Sequence, residues 1–217
     1  MHIPDGFVNV GTAVVTYAAS AGVVGYSVRR TNQALQEREV PLMGVMAAFV
    51  FAAQMINFPV AGGTSGHLLG GALVAILLGP WAGSLIITAV LIVQALLFQD
   101  GGILALGANV FNMAVVGVWT GYLSYTFLRR VLRGASSMWI AGFIASWLSV
   151  FLASAFASLE LGVSGTYPFG VVLPAMLSVH ALIGIGEGLI TTAVLALVNA
   201  SRKDILSWHA LAAGGLK

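Results

Sequence analysis

Long apolar runs, interrupted by glycine, proline and clusters of charge, dominate this sequence and most constrain its fold. Hydrophobic residues make up 59% of the chain and charged residues only 7%, whereas about a quarter of the residues in a soluble domain carry charge. A soluble globule is therefore excluded. The sequence predicts an all-α, polytopic membrane protein in which residues 1–217 form a single membrane-embedded domain.

Seven of these runs are candidate transmembrane helices, and the third is the shortest. As a helix it would rise only ~20 Å, against ~30 Å for the apolar core of a bilayer. A break after it is still expected, because Pro80 follows Gly79 and proline removes a hydrogen bond and clashes with the preceding turn. The seven runs are residues 8–28, 42–57, 67–79, 81–98, 110–128, 138–159 and 171–199.

Three basic clusters set the expected orientation of these spans. The positive-inside rule places all three clusters on the cytoplasmic side. Seven spans with the N-terminus outside and the C-terminus in the cytoplasm satisfy the rule, whereas fusing the third and fourth runs would put the second cluster outside. The clusters are Arg29, Arg30 and Arg38; Arg129, Arg130 and Arg133; and Arg202 and Lys203.

Four polar or glycine-rich segments then share the outer face. They are the N-terminal peptide 1–7 and the connections 57–66, 99–109 and 160–170. Irregular backbone at membrane depth persists only where it is buried in protein or lines a cavity. The topology therefore predicts an outward-facing binding site, with the N-terminal peptide inserted into it.

Met1 and His2 form a candidate metal chelator at this face. The Met1 amine, the His2 amide nitrogen and the His2 Nδ1 atom can close fused five- and six-membered rings around one cation. One place in a square plane stays open, and planar nitrogen ligation suits Ni²⁺ or Cu²⁺. Residues 1–7 contain no basic segment, so no cleavable signal peptide is apparent and Met1 is expected to be retained. Thiolate sites are excluded because the chain has no cysteine.

His67 is the candidate for the fourth nitrogen. It follows the run 61–66, which is rich in glycine, and it opens the predicted third helix on the same outer face as Met1. Two interpretations stay open for this residue. It either ligates the metal or caps the helix start through a hydrogen bond to the backbone.

Three segments resemble the membrane-embedded substrate-binding subunits of nickel and cobalt energy-coupling-factor (ECF) transporters, the CbiM/NikM family. They are residues 1–6, 59–70 and 101–113, and the similarity extends over essentially the whole chain. The resemblance implies that Ni²⁺ or Co²⁺ is the bound substrate. It also implies a square plane of nitrogen ligands from Met1, His2 and His67.

The resemblance further implies an ABC-type importer with several partners. These are a transmembrane coupling subunit, two cytoplasmic ATPase subunits and, in many cases, a small accessory membrane subunit, together with the lipid of a prokaryotic inner membrane. The chain has no phosphate-binding G-x-x-x-x-G-K-[ST] loop, so the partner ATPases would hydrolyse ATP and this subunit would not be an enzyme. Its net charge of +2 gives no indication of nucleic-acid binding.

Four residues are expected to support the site rather than ligate the metal. Asp5 either orients a ligating histidine or forms an Asp-Gly turn with Gly6. Asn109 and Asn112 share a helix face and are expected to orient loops by hydrogen bonding. Ser65 belongs to the glycine-rich loop that carries His67.

His180 and Glu187 are ionisable residues inside the predicted seventh helix, where such residues are costly and often functional. They raise the alternative of an ion-coupled secondary transporter, but a buried pair that holds this helix to its neighbours is the favoured interpretation. An intramembrane metalloenzyme is disfavoured because no H-E-x-x-H sequence occurs. Between the two metals, planar nitrogen ligation favours nickel over cobalt.

Overall fold

The computed structural model describes residues 1–34, 37–60, 63–134 and 136–205, and this part of the chain is almost entirely helical. Ala61 and Gly62 of the glycine-rich run, and the C-terminal tail from residue 206, lie outside the described residues. The helices are α1 (Val10–Ala34), α2 (Val40–Gln54), α3 (Gly71–Val93), α4 (Leu106–Val110), α5 (Val118–Val131), α6 (Ser137–Val163) and α7 (Phe169–Ser201).

Short helical turns of other types extend this set. A 3₁₀ turn (Glu37–Glu39) precedes α2, a wide π-type turn (Gln94–Phe98) continues α3, and a second one (Phe111–Gly117) joins α4 to α5. Four of the resulting helices are long and apolar enough to cross a membrane, and α2 is a shorter apolar helix. The prediction of a helical membrane protein is therefore confirmed. The four long helices are Gly71–Phe98, Leu106–Val131, Ser137–Val163 and Phe169–Ser201.

A sharp break divides α3 where the sequence predicts it. Gly79 has φ 82° and ψ 162°, a conformation that residues with a side chain rarely adopt, and Pro80 follows. A Cβ atom added to Gly83 would lie 3.3 Å from the Cα atom of Ala75, although residues eight apart in a straight helix are ~12 Å apart. The two halves of α3 therefore fold back on each other as a helical hairpin.

The first half of α3 lies at the centre of the bundle. All its residues from Gly71 to Leu78 are buried. Around it, α3 packs against α1, α2 and α5, while α6 packs against α5 and α7. Although α2 packs mainly on α3, and α7 mainly on α6, residues of α2 and α7 line one cavity beside Gly70 and Leu73.

The segment before α3 departs from the predicted helix. Phe58–Pro59 and Ser65–Gly66 form a two-residue antiparallel ladder, in which Phe58 pairs with Gly66. The prediction that His67 opens the third helix is wrong, because the helix begins at Gly71 and His67 lies in extended chain before it. The cause is Gly70, whose φ of 76° turns the backbone away from a helical path.

Candidate metal centre

The N-terminal peptide is inserted into the bundle through its own backbone. Ile3 is fully buried, and its N–H donates to Asn109 Oδ1 at 2.8 Å while its carbonyl accepts from Asn109 Nδ2 at 3.0 Å. The same carbonyl accepts from the Gly102 N–H at 2.9 Å. A side chain at position 102 could not be accommodated, since a Cβ atom there would lie 2.3 Å from the Asp5 backbone nitrogen.

Asp5 anchors the other end of this peptide. Its carboxylate accepts the backbone N–H groups of Ile103, Leu104 and Ala105 at 2.7–3.2 Å. Gly6, with φ 84°, turns the chain immediately afterwards. The predicted turn at Asp5 and Gly6 is present, and the carboxylate holds the loop 103–105, whereas its orienting role toward a ligating histidine stays a prediction.

Ser65 joins the N-terminal peptide to the glycine-rich loop. Its hydroxyl oxygen accepts from the Met1 amine at 3.2 Å and from the His2 amide N–H at 3.1 Å. Both nitrogens are candidate ligands. The hydroxyl therefore occupies the side of the peptide from which a cation would approach them.

The His2 ring is held so that its Nδ1 lone pair is free. Its Nε2–H donates to Gln94 Oε1 at 3.0 Å, and a neutral imidazole carries only one proton. The Nδ1 atom is buried without a hydrogen bond among the described residues, yet it lies 3.3 Å from Asp100 Oδ1. Two acceptors facing each other in this way favour a cation close to both.

The His67 ring is held in the complementary tautomer. Its Nδ1–H donates to the Leu68 carbonyl at 2.7 Å, so the Nε2 atom keeps its lone pair. Within the described residues this Nε2 is buried with no hydrogen-bond partner. The ring stacks on His2 with centroids 4.5 Å apart and planes inclined by 25°. The backbone hydrogen bond and a free ligand atom, predicted as alternatives, therefore coexist.

Burial keeps these nitrogens unprotonated at neutral pH. Desolvation, with the charge of the terminal amine second, lowers the pKa of His2 to about 3. Desolvation also lowers the pKa of the Met1 amine well below its usual value, opposed by Asp100. The pKa of His67 is lowered well below its usual value, mainly by desolvation and then by the nearby amine, His2 and His180. A metal entering the site would displace few protons from the amine and the two rings, whereas the His2 amide, which donates its N–H to Ser65, would have to lose that proton in order to bind the metal.

Asp100 is the acidic group nearest to the His2 ring nitrogen. Burial raises the pKa of its carboxyl, while the terminal amine and the Asn57 side chain act in the opposite direction. Asn57 Nδ2 donates to Asp100 Oδ2 at 3.0 Å. The carboxylate therefore links the segment after α2 to the segment after α3, next to the His2 ring.

Residues 63–70, here called the strap, present His67 and are tied to two helices. The Glu187 carboxylate of α7 accepts the backbone N–H groups of Leu69 and Gly70 at 2.5 and 2.8 Å. The Gln54 side chain of α2 donates to the Leu69 carbonyl at 2.7 Å. Glu187 and His180 are both buried, as expected, and Glu187 holds α7 to the strap through backbone N–H groups.

The structure brings Met1, His2, Ser65 and His67 together, with Asn109 and Asp5 holding the peptide. Asn112 behaves differently, because its Nδ2 atom donates to Glu160 Oε2 at 2.6 Å and so ties α6 to the turn after α4. Within the described part of the chain, no group of three or more His, Cys, Asp or Glu side chains is placed to hold a metal. Any metal site here must therefore use main-chain nitrogen atoms.

Three contacting residues escaped the sequence reasoning: Gln54, Gln94 and Asp100. A signal for Asp100 was present, since it is the only Asp, Glu, Lys or Arg between residues 40 and 128. The two glutamines interrupt apolar runs, where an amide is costly without a partner. Which partners they find depends on helix packing and cannot be seen in the chain itself.

Comparison with known proteins agrees with this architecture. A family model described as "Cobalt uptake substrate-specific transmembrane region" (CbiM) matches residues 2–205. The chain belongs to the CbiM family. It is 46% identical over 212 residues to a putative fused nickel transport protein, NikMN, of Archaeoglobus fulgidus, and the match covers 97% of this chain and 69% of the relative.

Other CbiM-like proteins extend the comparison. The fused nickel transport protein NikMN of Rhodobacter capsulatus is 36% identical over 222 residues, covering 95% of this chain and 64% of its own length. The crystal structure of a truncated transition metal transporter superimposes with a TM-score of 0.88 at 34% identity, covering 92% of this chain and 99% of that one. This CbiM-family chain is thus a nickel or cobalt transport component.

Proposed function

We propose that this chain is the substrate-specific component of an ECF-type ABC importer, which captures Ni²⁺ or Co²⁺ at an outward-facing site. The observation that carries the proposal is that four candidate nitrogen donors lie together in one buried cluster. The Met1 amine and the His2 amide share one hydroxyl, and the free ring nitrogens belong to two stacked imidazoles. The proposed donor set is Met1 N, His2 N, His2 Nδ1 and His67 Nε2.

Metal entry requires a small rearrangement of these donors. The lone pair of an imidazole nitrogen lies in the ring plane, so stacked rings direct their lone pairs side by side rather than toward one point. Rotation of at least one ring would place both nitrogens in a common square plane. The cation would also take the place of the hydrogen bonds that Ser65 accepts.

The proposed topology is seven spans, with the N-terminus outside and the C-terminus in the cytoplasm of a prokaryote. The hairpin at Gly79 supports it, because the two halves of α3 then count separately and the basic residues Arg129 and Arg130 fall at a cytoplasmic helix end. In this arrangement a transmembrane coupling subunit, two ATPases and in many systems an accessory membrane subunit complete the importer.

Nickel is the better fit to four nitrogens in a plane, whereas the family to which the chain belongs is described by cobalt uptake. An ion-coupled secondary transporter has less support. Its candidate ionisable residues do not form a relay, since Glu187 is occupied by two backbone N–H groups of the strap.

The proposal is tested by measuring Ni²⁺ retained per purified chain. One added residue before Met1 converts the amine to an amide, and His2→Ala or His67→Ala removes one ring donor. Each change should weaken Ni²⁺ binding by at least about 100-fold, the upper end of what loss of an outer-shell metal partner costs. One added residue after Lys217 serves as the matched control and should bind one Ni²⁺ normally. Full binding by the N-terminally extended chain would exclude the amine as a ligand.

A further inference from the structure

The interior face of α7 follows the strap from one end to the other. Met176 contacts its start, since a Cβ atom added to Gly63 would lie 2.6 Å from Met176 Sδ. Ile183 contacts its middle, because a Cβ atom added to Gly66 would lie 2.9 Å from Ile183 Cδ1. His180 lies between these two residues on the same helix face, so its ring faces the strap near Ser65.

His180 is fully buried and has one ring nitrogen free. Its Nδ1–H donates to the Met176 carbonyl one turn earlier at 2.8 Å, which leaves the lone pair on Nε2. That Nε2 atom has no hydrogen-bond partner among the described residues, and the Ser65 backbone carbonyl lies near the ring. A buried acceptor without a partner costs free energy unless a donor or a cation reaches it.

Ser65 lies between the His180 ring and the proposed metal centre. Its hydroxyl receives hydrogen bonds from the Met1 amine and the His2 amide, while its carbonyl faces His180. His180 also acts electrostatically on His67. A single residue of the strap thus has the proposed metal plane on one side and an unused imidazole on the other.

We propose that His180 Nε2 and the Ser65 carbonyl oxygen form a second, transient site for the same divalent metal. This inference rests on the proposed function. The metal would occupy the second site after leaving the N-terminal peptide, by exchange of ligands without any redox step. Imidazole nitrogen suits Ni²⁺ and Co²⁺. With only two protein donors the site would bind weakly, as a transfer position requires.

The first experiment separates transfer from binding. His180→Phe keeps an aromatic ring without a ligand atom, and His180→Gln keeps a polar side chain that is a poor ligand. Both purified variants should retain one Ni²⁺ per chain with normal affinity, whereas Ni²⁺ uptake by cells carrying the complete transporter should fall roughly 10- to 100-fold. Ser178→Ala, two residues away on the exposed face of α7, is the matched control and should transport normally.

Either of two results would overturn the inference. Normal uptake by both His180 variants would show that the imidazole has no role in transfer. Loss of the retained Ni²⁺ in both variants would show that His180 supports the primary site instead. Neither result bears on the proposed function, which fails only if the wild-type chain binds no Ni²⁺ or binds it without Met1, His2 and His67.

A second experiment tests ligation directly. In the chain with one residue added before Met1, the primary plane is incomplete, and Ni²⁺ added in excess should bind weakly through imidazole nitrogen. X-ray absorption spectroscopy at the nickel edge reports that ligand. The imidazole signal should fall when His180→Phe is combined with the extension. An unchanged signal, or no weakly bound Ni²⁺ in the extended chain, would contradict a second site at His180.

Discussion

The N-terminal peptide and the strap each present one histidine, but the bundle holds them in different ways. The peptide is held through the backbone of Ile3 and the side chain of Asp5, and these two residues find their partners between residues 102 and 109. The strap is held by Glu187 of α7 and Gln54 of α2. The two ligands are therefore anchored to separate parts of the bundle.

This difference indicates how a metal could be bound tightly and still be released. The peptide and its anchors form a local unit around the start of α4, which packs mainly on α1. The strap follows α7, which packs mainly on α6. A shift of α7 relative to α4 would separate His67 from His2 without breaking either set of anchors.

The largest expected effect comes from removing the anchor of the peptide. Asn109→Ala leaves the buried N–H of Ile3 without an acceptor, and an unsatisfied buried group costs about 1–3 kcal/mol. Because this penalty destabilises the inserted peptide conformation that binds the metal, Ni²⁺ affinity should drop by roughly 10- to 100-fold. Calorimetric titration of the purified chain measures it. Unchanged affinity would show that the peptide is held by Asp5 and Gly102 alone.

A smaller effect is expected from weakening the anchor of the strap. Glu187→Gln keeps one acceptor oxygen but directs an amide NH₂ group at the second backbone N–H, so one of two hydrogen bonds is lost. Ni²⁺ affinity should fall about tenfold, at the lower end of outer-shell effects. Release of Ni²⁺ to an external chelator should accelerate by the same factor. Equal affinity and release in wild type and variant would contradict the idea that α7 positions His67.

The pH dependence of stability reports the burial of the peptide's own groups. The pKa of His2 is about 3 in the folded chain and 6.5 when unfolded, so between these values only the unfolded chain binds the proton. The contribution of His2 to stability is therefore complete above about pH 6.5 and decreases as the pH falls toward 3. The lowered pKa values of the Met1 amine and of His67 act in the same direction. At pH 5 the titration of His2 alone should cost the metal-free protein roughly 2 kcal/mol, or about 4–8 °C in melting temperature.

Thermal melts of the metal-free protein at pH 7.5, 6 and 5 measure this dependence. His2→Ala removes the titrating ring, so its melting temperature should change less with pH than that of the wild type. The same dependence in both proteins would assign the effect to groups other than the His2 ring.

The smallest effect on metal binding is expected at Asn112, which touches neither segment. Asn112→Ala removes the hydrogen bond to Glu160 and should lower the melting temperature, because a buried carboxyl loses its partner. Ni²⁺ affinity should nevertheless stay within about threefold of wild type, because a substitution has little effect on a site with which it shares no contacting residues. A loss as large as that of Asn109→Ala would show that α6 also controls the peptide.

Local features of the sequence were sufficient to predict the helices and the break at Gly79. The effects of apolar runs and of a Gly-Pro pair depend only on residues that are close in sequence. The same is true of the nitrogen atoms of Met1 and His2 that could chelate a metal. The start of α3 was mispredicted because Gly70 adopts a positive φ, and that turn is stabilised by Glu187 from 117 residues away. Contacts of Gln94 and Asp100 with His2 likewise depend on which helices pack together.

The contacts of the N-terminal peptide also set the order in which the site can be assembled. Residues of the peptide are made before their partners, which lie 64 positions later at Ser65, 106 later at Asn109 and 159 later at Thr166. Pairings of such long range form slowly and late. The peptide must therefore wait, unpaired, until most of the bundle has entered the membrane. Metal retained by a purified chain would then show that the last helices have folded, although these helices supply none of the proposed ligands.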